Sequence, residues 1–502
     1  MDTNREGLVE ATLRDGSRHM TSLLRSRWVD RSLCVLVVFL FATANLPWHL
    51  DDYDQAKQAY VSYEIIHTDA WLFQHTPTQD IATKPPLAGW ISAGLFKLTG
   101  SWALAWRLPS FVSALFLLWI LRTAAKRISP GQTGTILVTA AFALNLMTPR
   151  LATLVRTDMM LTLFIFLVGW MIWRKLGDSH RWTLSEKLAM AGAMLGALYT
   201  KGPILYAFVL PGLILFSLLP PKDGRTSELR SRAWGGVWIW LIPLACFAAW
   251  VVVGLVTNRE FYQQVVVEEF LSRFHSAGKS DERGQPVWFY GPHLIHKFLP
   301  WSLVLILAPA LLPTLRAQMR RDPQTWWLVC WTVGSILVMT IIPSKRVDRI
   351  YPVLPPLCLL LVHVAVLGAT NRRMQVGLVA AFAFSMVLTG GYFGGMAWWM
   401  RDTHPERLIR FAGDARAVAA QAGLAEPDVV RSRDEGLLMY LEKARFLSSK
   451  TAKEKWASDP QTALVLSDRE AAKLLPSLPG ARILLERNDL NKNEKGYVVV
   501  GR

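Results

Sequence analysis

Charged residues are scarce in this 502-residue chain. Lys, Arg, Asp and Glu together make up 19% of it, against about a quarter in average soluble proteins. Hydrophobic residues make up 52%, including 22 Trp and 22 Phe, and they form blocks that approach the ~20 residues needed to cross a bilayer. This composition excludes a soluble single-core enzyme, a fibrous chain and a disordered chain. It predicts a polytopic α-helical membrane protein.

Cysteine is also rare, and all four cysteines lie inside apolar blocks, where Cys behaves as a small hydrophobic residue. No disulfide framework is expected from Cys34, Cys246, Cys330 and Cys358. Basic residues exceed acidic ones by 17, but in a membrane chain this excess is first a signal of topology. We therefore expect membrane lipids, and not nucleic acid, as general partners.

About eleven apolar segments are predicted to cross the bilayer, with a plausible range of eleven to thirteen. They are 32–50, 103–121, 133–148, 158–173, 188–199, 204–219, 234–256, 298–312, 325–342, 351–369 and 374–400. Residues 1–31 contain six Arg, and no small-residue cleavage site follows the first segment. This pattern favours an uncleaved first helix and a cytoplasmic N-terminus.

The density of Lys and Arg alternates between the connecting segments. One set holds 22 in 86 residues and the opposite set holds 14 in 114, which is the bias expected when the first set is cytoplasmic. The bias places residues 401–502 outside. The apolar run 87–100 is too short to fit this alternation as a span, so we interpret it as an interfacial helix.

Some cations remain on the outer side, against the bias. Each could be a residue whose side chain extends to lipid headgroups, but a group converging at one membrane face is suited to hold a lipid phosphate or pyrophosphate. The members are Lys84, Arg150, Arg156, Lys201, Arg273, Lys345, Arg346 and Arg349.

Carboxylates accompany these cations. Asp51, Asp52 and Asp54 follow the first helix, where a solvated helix cap is the ordinary interpretation. At the mouth of a cavity, a carboxylate could instead act as a general base or hold a metal. Asp158 opens an apolar helix two residues after Arg156 and is either a second such residue or an N-terminal cap.

Taken together, residues 32–370 resemble the lipid-phosphate-sugar-dependent glycosyltransferases of the GT-C type, and within them the group of aminoarabinose transferases and protein mannosyltransferases. The shared order and spacing of several short motifs carry the resemblance. These motifs are Asp51-Asp52, Lys84-Pro85-Pro86-Leu87 with Trp90, Arg107-Leu108-Pro109-Ser110, Arg156-Thr157-Asp158, Thr200-Lys201-Gly202-Pro203, Pro300-Trp301-Ser302, and Ser344-Lys345-Arg346 followed by Tyr351-Pro352.

The resemblance implies transfer of a sugar, usually with inversion, from a polyprenyl phosphate to an acceptor on the outer face. Asp51 would be the catalytic acidic residue, with Asp158 as the second catalytic candidate. The residues implied to bind the donor phosphate are Lys84, Arg156, Lys201, Lys345 and Arg346. Those expected to line the cavity or contact the acceptor are Asp52, Arg273 and Tyr351.

The chain departs from the family pattern at several positions. It has Asp51-Asp52 where Asp-Glu is usual, and Thr83 and Glu269-Phe270 where aminoarabinose transferases often have a Glu and a Glu-His pair. That Glu and His look like metal ligands in such members, so a bound zinc is doubtful here. Asp51 with Asp158 could still hold Mg²⁺ or Mn²⁺, and no cofactor is certain.

Three regions are predicted: a basic cytoplasmic N-terminus at 1–31, a transmembrane glycosyltransferase domain at 32–400 with outer loops 51–102 and 257–297, and a small outer α/β domain at 401–502. Periodicity in the last region predicts helices and strands. The helices are 405–422 and 467–475, and the strands begin near Ala463, Arg482 and Tyr497.

We therefore predict a monomeric bacterial inner-membrane glycosyltransferase whose active site faces the periplasm. Its donor would be a polyprenyl-phosphate sugar, and its acceptor lipid A or the lipopolysaccharide core. Two alternatives stay open: the same transfer to a protein or another polysaccharide, and transport of a lipid-linked sugar. A transporter would favour inverted repeats and helices broken at mid-membrane, and neither is apparent.

Overall fold

The architecture is described from a computed structural model. Two of the predicted site residues, Asp51 and Arg273, lie outside the described residues. The described residues are 25–50, 52–178, 180–221, 226–271, 285–403, 407–432, 434–488 and 496–502.

Helices make up most of the described residues between 25 and 403. They are α1 (Arg27–Thr43), α2 (Tyr53–Thr68), α3 (Leu87–Thr99), α4 (Trp102–Ile128), α5 (Gln132–Ala143), α6 (Thr148–Thr153), α7 (Asp158–Gly177), α8 (Leu184–Lys201), α9 (Ile204–Leu218), α10 (Thr226–Trp234), α11 (Trp238–Thr257), α12 (Tyr290–Lys297), α13 (Trp301–Leu311), α14 (Pro313–Met319), α15 (Pro323–Ile341), α16 (Leu354–Leu367) and α17 (Arg372–Thr403). A π-helix at Tyr262–Phe270 and a 3₁₀-helix at Val347–Val353 complete the set.

The predicted fold class is confirmed. Each of the eleven predicted spans coincides with a helix, and six helices in the described residues are long and apolar enough to cross a membrane. A seventh span results if α12 and α13, which are bent by 106° relative to each other, form one crossing. The other predicted spans coincide with shorter apolar helices such as α5 and α9.

One predicted span, 133–148, is interrupted. The side-chain oxygen of Asn145 accepts hydrogen bonds from the backbone N–H groups of Met147 and Thr148, at 2.9 Å each. This local turn competes with helix continuation, so α5 ends at Ala143 and α6 starts at Thr148. The predicted interfacial helix at 87–100 is present as α3.

A second departure lies in the predicted outer loop 51–102, which contains the 16-residue helix α2. Asp52 caps its N-terminus, since its side chain accepts a hydrogen bond from the backbone N–H of Gln55. The helix is polar yet largely buried. A polar helix of this kind has no apolar stripe by which a sequence pattern could reveal it.

The region after residue 407 is a small α/β domain, with the predicted helices and strands in place. A four-stranded sheet has the order β1-β2-β4-β3, in which β1 and β2 are parallel and the other two pairings are antiparallel. The elements are α18 (Arg407–Gln421), β1 (Asp428–Val430), α19 (Glu435–Tyr440), α20 (Ser449–Ser458), β2 (Leu464–Ser467), α21 (Asp468–Leu474), a 3₁₀ turn (Leu475–Ser477), β3 (Arg482–Arg487) and β4 (Tyr497–Gly501).

This domain packs on α2 through a shared apolar core. Tyr60 and Tyr63 of α2 belong to the same buried cluster as Phe411, Leu437 and Tyr497 of the domain. Burial of aromatic side chains of this size dominates such interfaces energetically. The α/β domain therefore buries α2, and its position bears directly on the residues that α2 carries.

Candidate active site

A polar cavity of about 320 Å³ lies where the N-terminal half of α2 meets the start of α7 and the end of α8. Its described lining contains six basic and four acidic residues, so positive charge exceeds negative charge by two. These are Lys57, Lys84, Arg156, Lys201, Arg346 and Arg349, with Asp54, Asp158, Glu268 and Asp348.

Hydrogen bonds to its backbone and from its guanidinium hold Arg156 in this cavity. The hydroxyl of Ser110 on α4 donates to the carbonyls of Leu154 and Arg156, at 2.8 and 3.2 Å. The guanidinium donates to Asp348 at 2.6 Å and to Asp54 at 3.0 Å. Its Nε is buried without a hydrogen-bond partner in the described part of the chain, which leaves one donor available to a ligand.

Asp54, in the first turn of α2, joins two arginines. It accepts hydrogen bonds from Arg156 and from Arg346, which lie 190 residues apart in the chain. Burial alone would raise the pKa of the Asp54 carboxyl, but the hydrogen bond and charge of Arg346, followed by the charges of Arg156 and Lys84, lower that pKa overall. A carboxylate so stabilised is a poor proton acceptor and serves to fix the arginines.

Lys84 enters the cavity from the segment before α3. Its Nζ donates to the side-chain oxygen of Gln58 on α2, at 3.1 Å. Burial in the cavity wall, and then the positive charge of Lys201, lower the pKa of Lys84 to about 7. An anion in the cavity would reverse this effect, because an opposite charge nearby favours the protonated amine.

Asp158 and Lys201 form a closed pair. The Lys201 Nζ lies 2.6 Å from Asp158 Oδ1, and both side chains are mostly buried. Lys201 ends α8, where Gly202 supplies the positive φ of 75° that terminates the helix. Thus the Thr200-Lys201-Gly202-Pro203 motif positions the amine, and the first residue of α7 positions its carboxylate.

Not every predicted site residue lies at this cavity. The Nζ of Lys345 donates to the backbone carbonyl of Gln285 at 3.2 Å, and the hydroxyl of Tyr351 donates to Thr148 from a fully buried position. Neither is among the described lining residues. Asp52 lies at the edge, with its Oδ1 3.7 Å from Arg156 Nη2. Since Asp51 is undescribed, its pairing with Asp158 around a metal stays a prediction.

The cavity also contains residues that sequence reasoning did not select. Asp348 pairs with Arg156, and Glu268 extends from the π-helix that follows α11. The signal for Asp348 was available, because it lies between the predicted cations Arg346 and Arg349. Among the described residues, no group of three or more His, Cys, Asp or Glu comes together as a metal site.

Comparisons with known proteins place this geometry in context. The family described as "Dolichyl-phosphate-mannose-protein mannosyltransferase" matches residues 83–250. An ArnT from Cupriavidus metallidurans, solved bound to undecaprenyl phosphate, superposes with a TM-score of 0.69 and 19% identity, over 94% of this chain and 97% of that one. The superposition shows that this chain has the same fold as that ArnT. The apo state of the same ArnT gives a TM-score of 0.67.

The curated proteins that this chain is similar to share low identity with it. An undecaprenyl phosphate-alpha-4-amino-4-deoxy-L-arabinose arabinosyl transferase from Pectobacterium carotovorum is 24% identical over 61% of this chain and 54% of its own length. Its namesake from Shewanella sediminis is 24% identical over 71% of this chain and 64% of its own length. The chain therefore spans less than two thirds of the length of these relatives.

Proposed function

We propose that this chain is a membrane glycosyltransferase that moves a sugar from a polyprenyl phosphate to a lipid acceptor. One observation carries the proposal: a cavity in which fixed cations outnumber carboxylates, in a fold that superposes on ArnT with undecaprenyl phosphate bound. Lys84, Arg156, Lys201 and Arg346 are the proposed ligands of the donor phosphate. Charge-assisted hydrogen bonds of this kind hold phosphate strongly.

The proposed reaction is a displacement at the anomeric carbon. The acceptor hydroxyl loses its proton to a carboxylate as its oxygen bonds to that carbon, and the bond between carbon and phosphate oxygen breaks. The polyprenyl phosphate leaves with an additional negative charge. Fixed cations are best placed to stabilise that charge because they do not need to reorganise during the reaction.

Asp51 is the proposed general base. Asp54 is bound by two arginines and Asp158 is paired with Lys201, so both carboxylates are already engaged by cations. Asp51 immediately precedes Asp52, the cap of α2, at the edge of the cavity. The low pKa of Asp54 supports the same assignment.

We further propose that the cavity faces the periplasm, with the N-terminus in the cytoplasm. The support is the distribution of Lys and Arg between the two sets of connecting segments. Reporter fusions after residues 131, 221 and 403 test this orientation. The proposal requires that a reporter fused after residue 131 or 221 is active as a cytoplasmic reporter, and that one fused after residue 403 is active as a periplasmic reporter.

The deciding experiment is mass spectrometry of lipopolysaccharide from cells that carry the wild-type chain, Asp51→Asn, or no copy. A discrete sugar increment on lipid A or core that is present only with the wild type supports the proposal and identifies the sugar. Asp69→Asn is the matched control, because Asp69 ends α2 with a φ of 56° and Asn tolerates that conformation. An active Asp51→Asn enzyme would remove Asp51 as the base.

A protein acceptor is the second candidate, favoured by the description of the matching family. Unchanged lipopolysaccharide together with a lost sugar on periplasmic proteins would support it. If neither class of molecule changes, transport of the lipid-linked sugar becomes the better interpretation. The cavity would then bind the lipid-linked sugar without catalysing its transfer.

A further inference from the structure

Glu64 on α2 is a fully buried carboxylate that joins three segments of the chain. Its Oε2 accepts a hydrogen bond from the backbone N–H of His75, and its Oε1 lies 3.2 Å from the His75 ring. Arg445 of the α/β domain lies 3.3 Å from the same Oε1. Burial of a carboxylate costs free energy unless partners compensate it, so these contacts specify one arrangement of the three segments.

The neighbours of Arg445 reinforce this junction. The hydroxyl of Tyr60 on α2 donates to the carbonyl of Ala444. The backbone N–H of Phe446 donates to the carbonyl of Pro77, at 3.4 Å. Of three consecutive residues of the α/β domain, Ala444 and Arg445 thus contact α2, and Phe446 contacts the segment 69–86.

The segment 69–86 transmits this contact to the cavity. His75 pairs with Ile81 in an antiparallel bridge, and the backbone N–H of Ala82 donates to the carbonyl of Gln74 at 2.7 Å. Ala82 and Lys84 both line the cavity. Movement at His75 therefore displaces the backbone that presents the Lys84 amine.

The segment is fixed to α2 at two points. One is the hydrogen bond from Lys84 to Gln58 at the cavity, and the other is the Glu64 junction. Six residues separate Gln58 from Glu64, or about 9 Å along the helix axis. These two side-chain contacts, at separated positions on α2, add to the covalent link at Asp69 and together set the angle of the segment.

We propose that Arg445 is a positioning residue for the donor-phosphate site, and that the α/β domain thereby completes the wall that carries Lys84. Arg445 contacts the buried Glu64 carboxylate and holds it in place, Glu64 holds His75, and His75 fixes the backbone of the Lys84 segment. The effect on donor binding rests on the proposed function. The effect on the segment itself does not.

The first test measures two quantities with the full-length enzyme: turnover of the undecaprenyl-phosphate sugar that the mass spectrometry identifies, and binding of undecaprenyl monophosphate, the lipid that is released. Arg445→Ala should raise the KM for the donor about five- to tenfold, as expected for the loss of a well-placed charge-assisted contact, with kcat changed less than KM. In a Lys84→Ala background the same substitution should add little, because the amine it positions is already gone. Arg487→Ala, which breaks an exposed pair with Asp414 in the same domain, should leave KM unchanged.

The second test is hydrogen exchange of segment 69–86 in the same proteins without substrate. Arg445→Ala and Glu64→Gln should both accelerate exchange there, while Arg445→Lys should restore part of the protection because the charge is kept. Unchanged exchange in both variants overturns the proposal, even if one of them folds poorly. Equal effects of Arg445→Ala with and without Lys84 also overturn it. If Arg445→Ala accelerates hydrogen exchange in segment 69–86 but the enzyme binds no polyprenyl phosphate, the proposed function is wrong. The structural role of Arg445 at the Glu64 junction would still hold.

Discussion

Ion pairs lie at both ends of the helix bundle, and they differ in how their charges are balanced. At the end away from the cavity, Arg122 makes a two-pronged contact with Asp30, at 2.9 and 2.8 Å, and Lys175 lies 2.7 Å from Glu186. Each of these cations has its own carboxylate. At the cavity, Arg156 and Arg346 share Asp54, and positive charge remains in excess.

This difference distinguishes ion pairs that stabilise the fold from a charged network that is suited to bind an anion. A fully matched pair has no charge left for a ligand, and its removal affects folding, because an unpaired buried charge is costly. A network with excess cations pays a repulsive cost that an anionic ligand relieves. The pKa of Lys84 is lowered mainly by burial and then by the charge of Lys201, so part of its shift reflects that repulsion.

The largest expected effect comes from Arg156→Ala. The substitution leaves Asp54 and Asp348 without their shared partner, so it removes a proposed ligand of the phosphate and adds repulsion toward an anion. Truncating one member of such a buried charged contact costs about 2–5 kcal/mol, so affinity for undecaprenyl monophosphate should fall about 100-fold or more. Calorimetry or a spin-column assay measures this affinity. The control is Arg150→Ala, an exposed residue; an equal loss in both variants would contradict the assignment.

A smaller effect is expected from pH, through Lys84. Its free-state pKa is about 7, and a bound phosphate raises that pKa, so binding takes up a proton above pH 7. Affinity should therefore fall as pH rises from about 7, by at most about tenfold per unit for one proton. In Lys84→Arg this slope should disappear, because Arg stays charged. Since the ligand's own ionisation is common to both proteins, identical slopes would refute the role of Lys84.

The opposite end of the bundle should respond in stability. Arg122→Ala leaves Asp30 buried without its partner and should lower the free energy of unfolding by about 2–3 kcal/mol, toward the low end for buried pairs because both side chains are partly exposed. Turnover per folded molecule should stay within about twofold of the wild type. Thermal unfolding in detergent and an assay on the purified folded fraction check both statements. A selective loss of donor affinity would show that the two ends are not separate in function.

The smallest effect is expected from Lys345→Ala. Its amine bonds to a backbone carbonyl away from the described lining of the cavity, so donor affinity should change by less than about twofold. The adjacent Arg346→Ala, which frees one side of Asp54, should cost about tenfold. Titration of both variants with the same lipid phosphate measures the contrast. Similar losses would return Lys345 to the donor site.

The sequence was informative where physical constraints are local. The length of the apolar segments identified the spanning helices. Arg156, Asp158 and Lys201 could be selected as candidate site residues because ionisable groups at the ends of apolar helices cost free energy. The order of short motifs carried the resemblance to GT-C glycosyltransferases. Three of the four strands of the sheet and two of the helices of the α/β domain followed from periodicity, and β1 was not predicted.

The remainder depends on contacts between distant parts of the chain. Helix α2 is polar and is buried between the α/β domain and helices of the bundle, so its own sequence gives no period to detect. The role of Asp54 arises from two arginines that join it from other elements. Lys345 and Arg346 are neighbours in sequence, yet the extended backbone between them directs their side chains to different sites.

The 32 residues of α17 have a mechanical consequence. At 1.5 Å per residue the helix is about 48 Å long, against about 30 Å for the hydrocarbon core of a bilayer. At least one end must therefore extend well beyond the apolar layer, and Trp398 and Trp399, near its C-terminus, are suited to the headgroup level. Because a continuous helix is stiff, its length works as a spacer that sets the height of Thr403, its last residue, relative to the apolar layer. Removing one turn would lower that height by about 5 Å and rotate the attachment point, so domains exchanged between relatives should be compatible only when this spacer is matched.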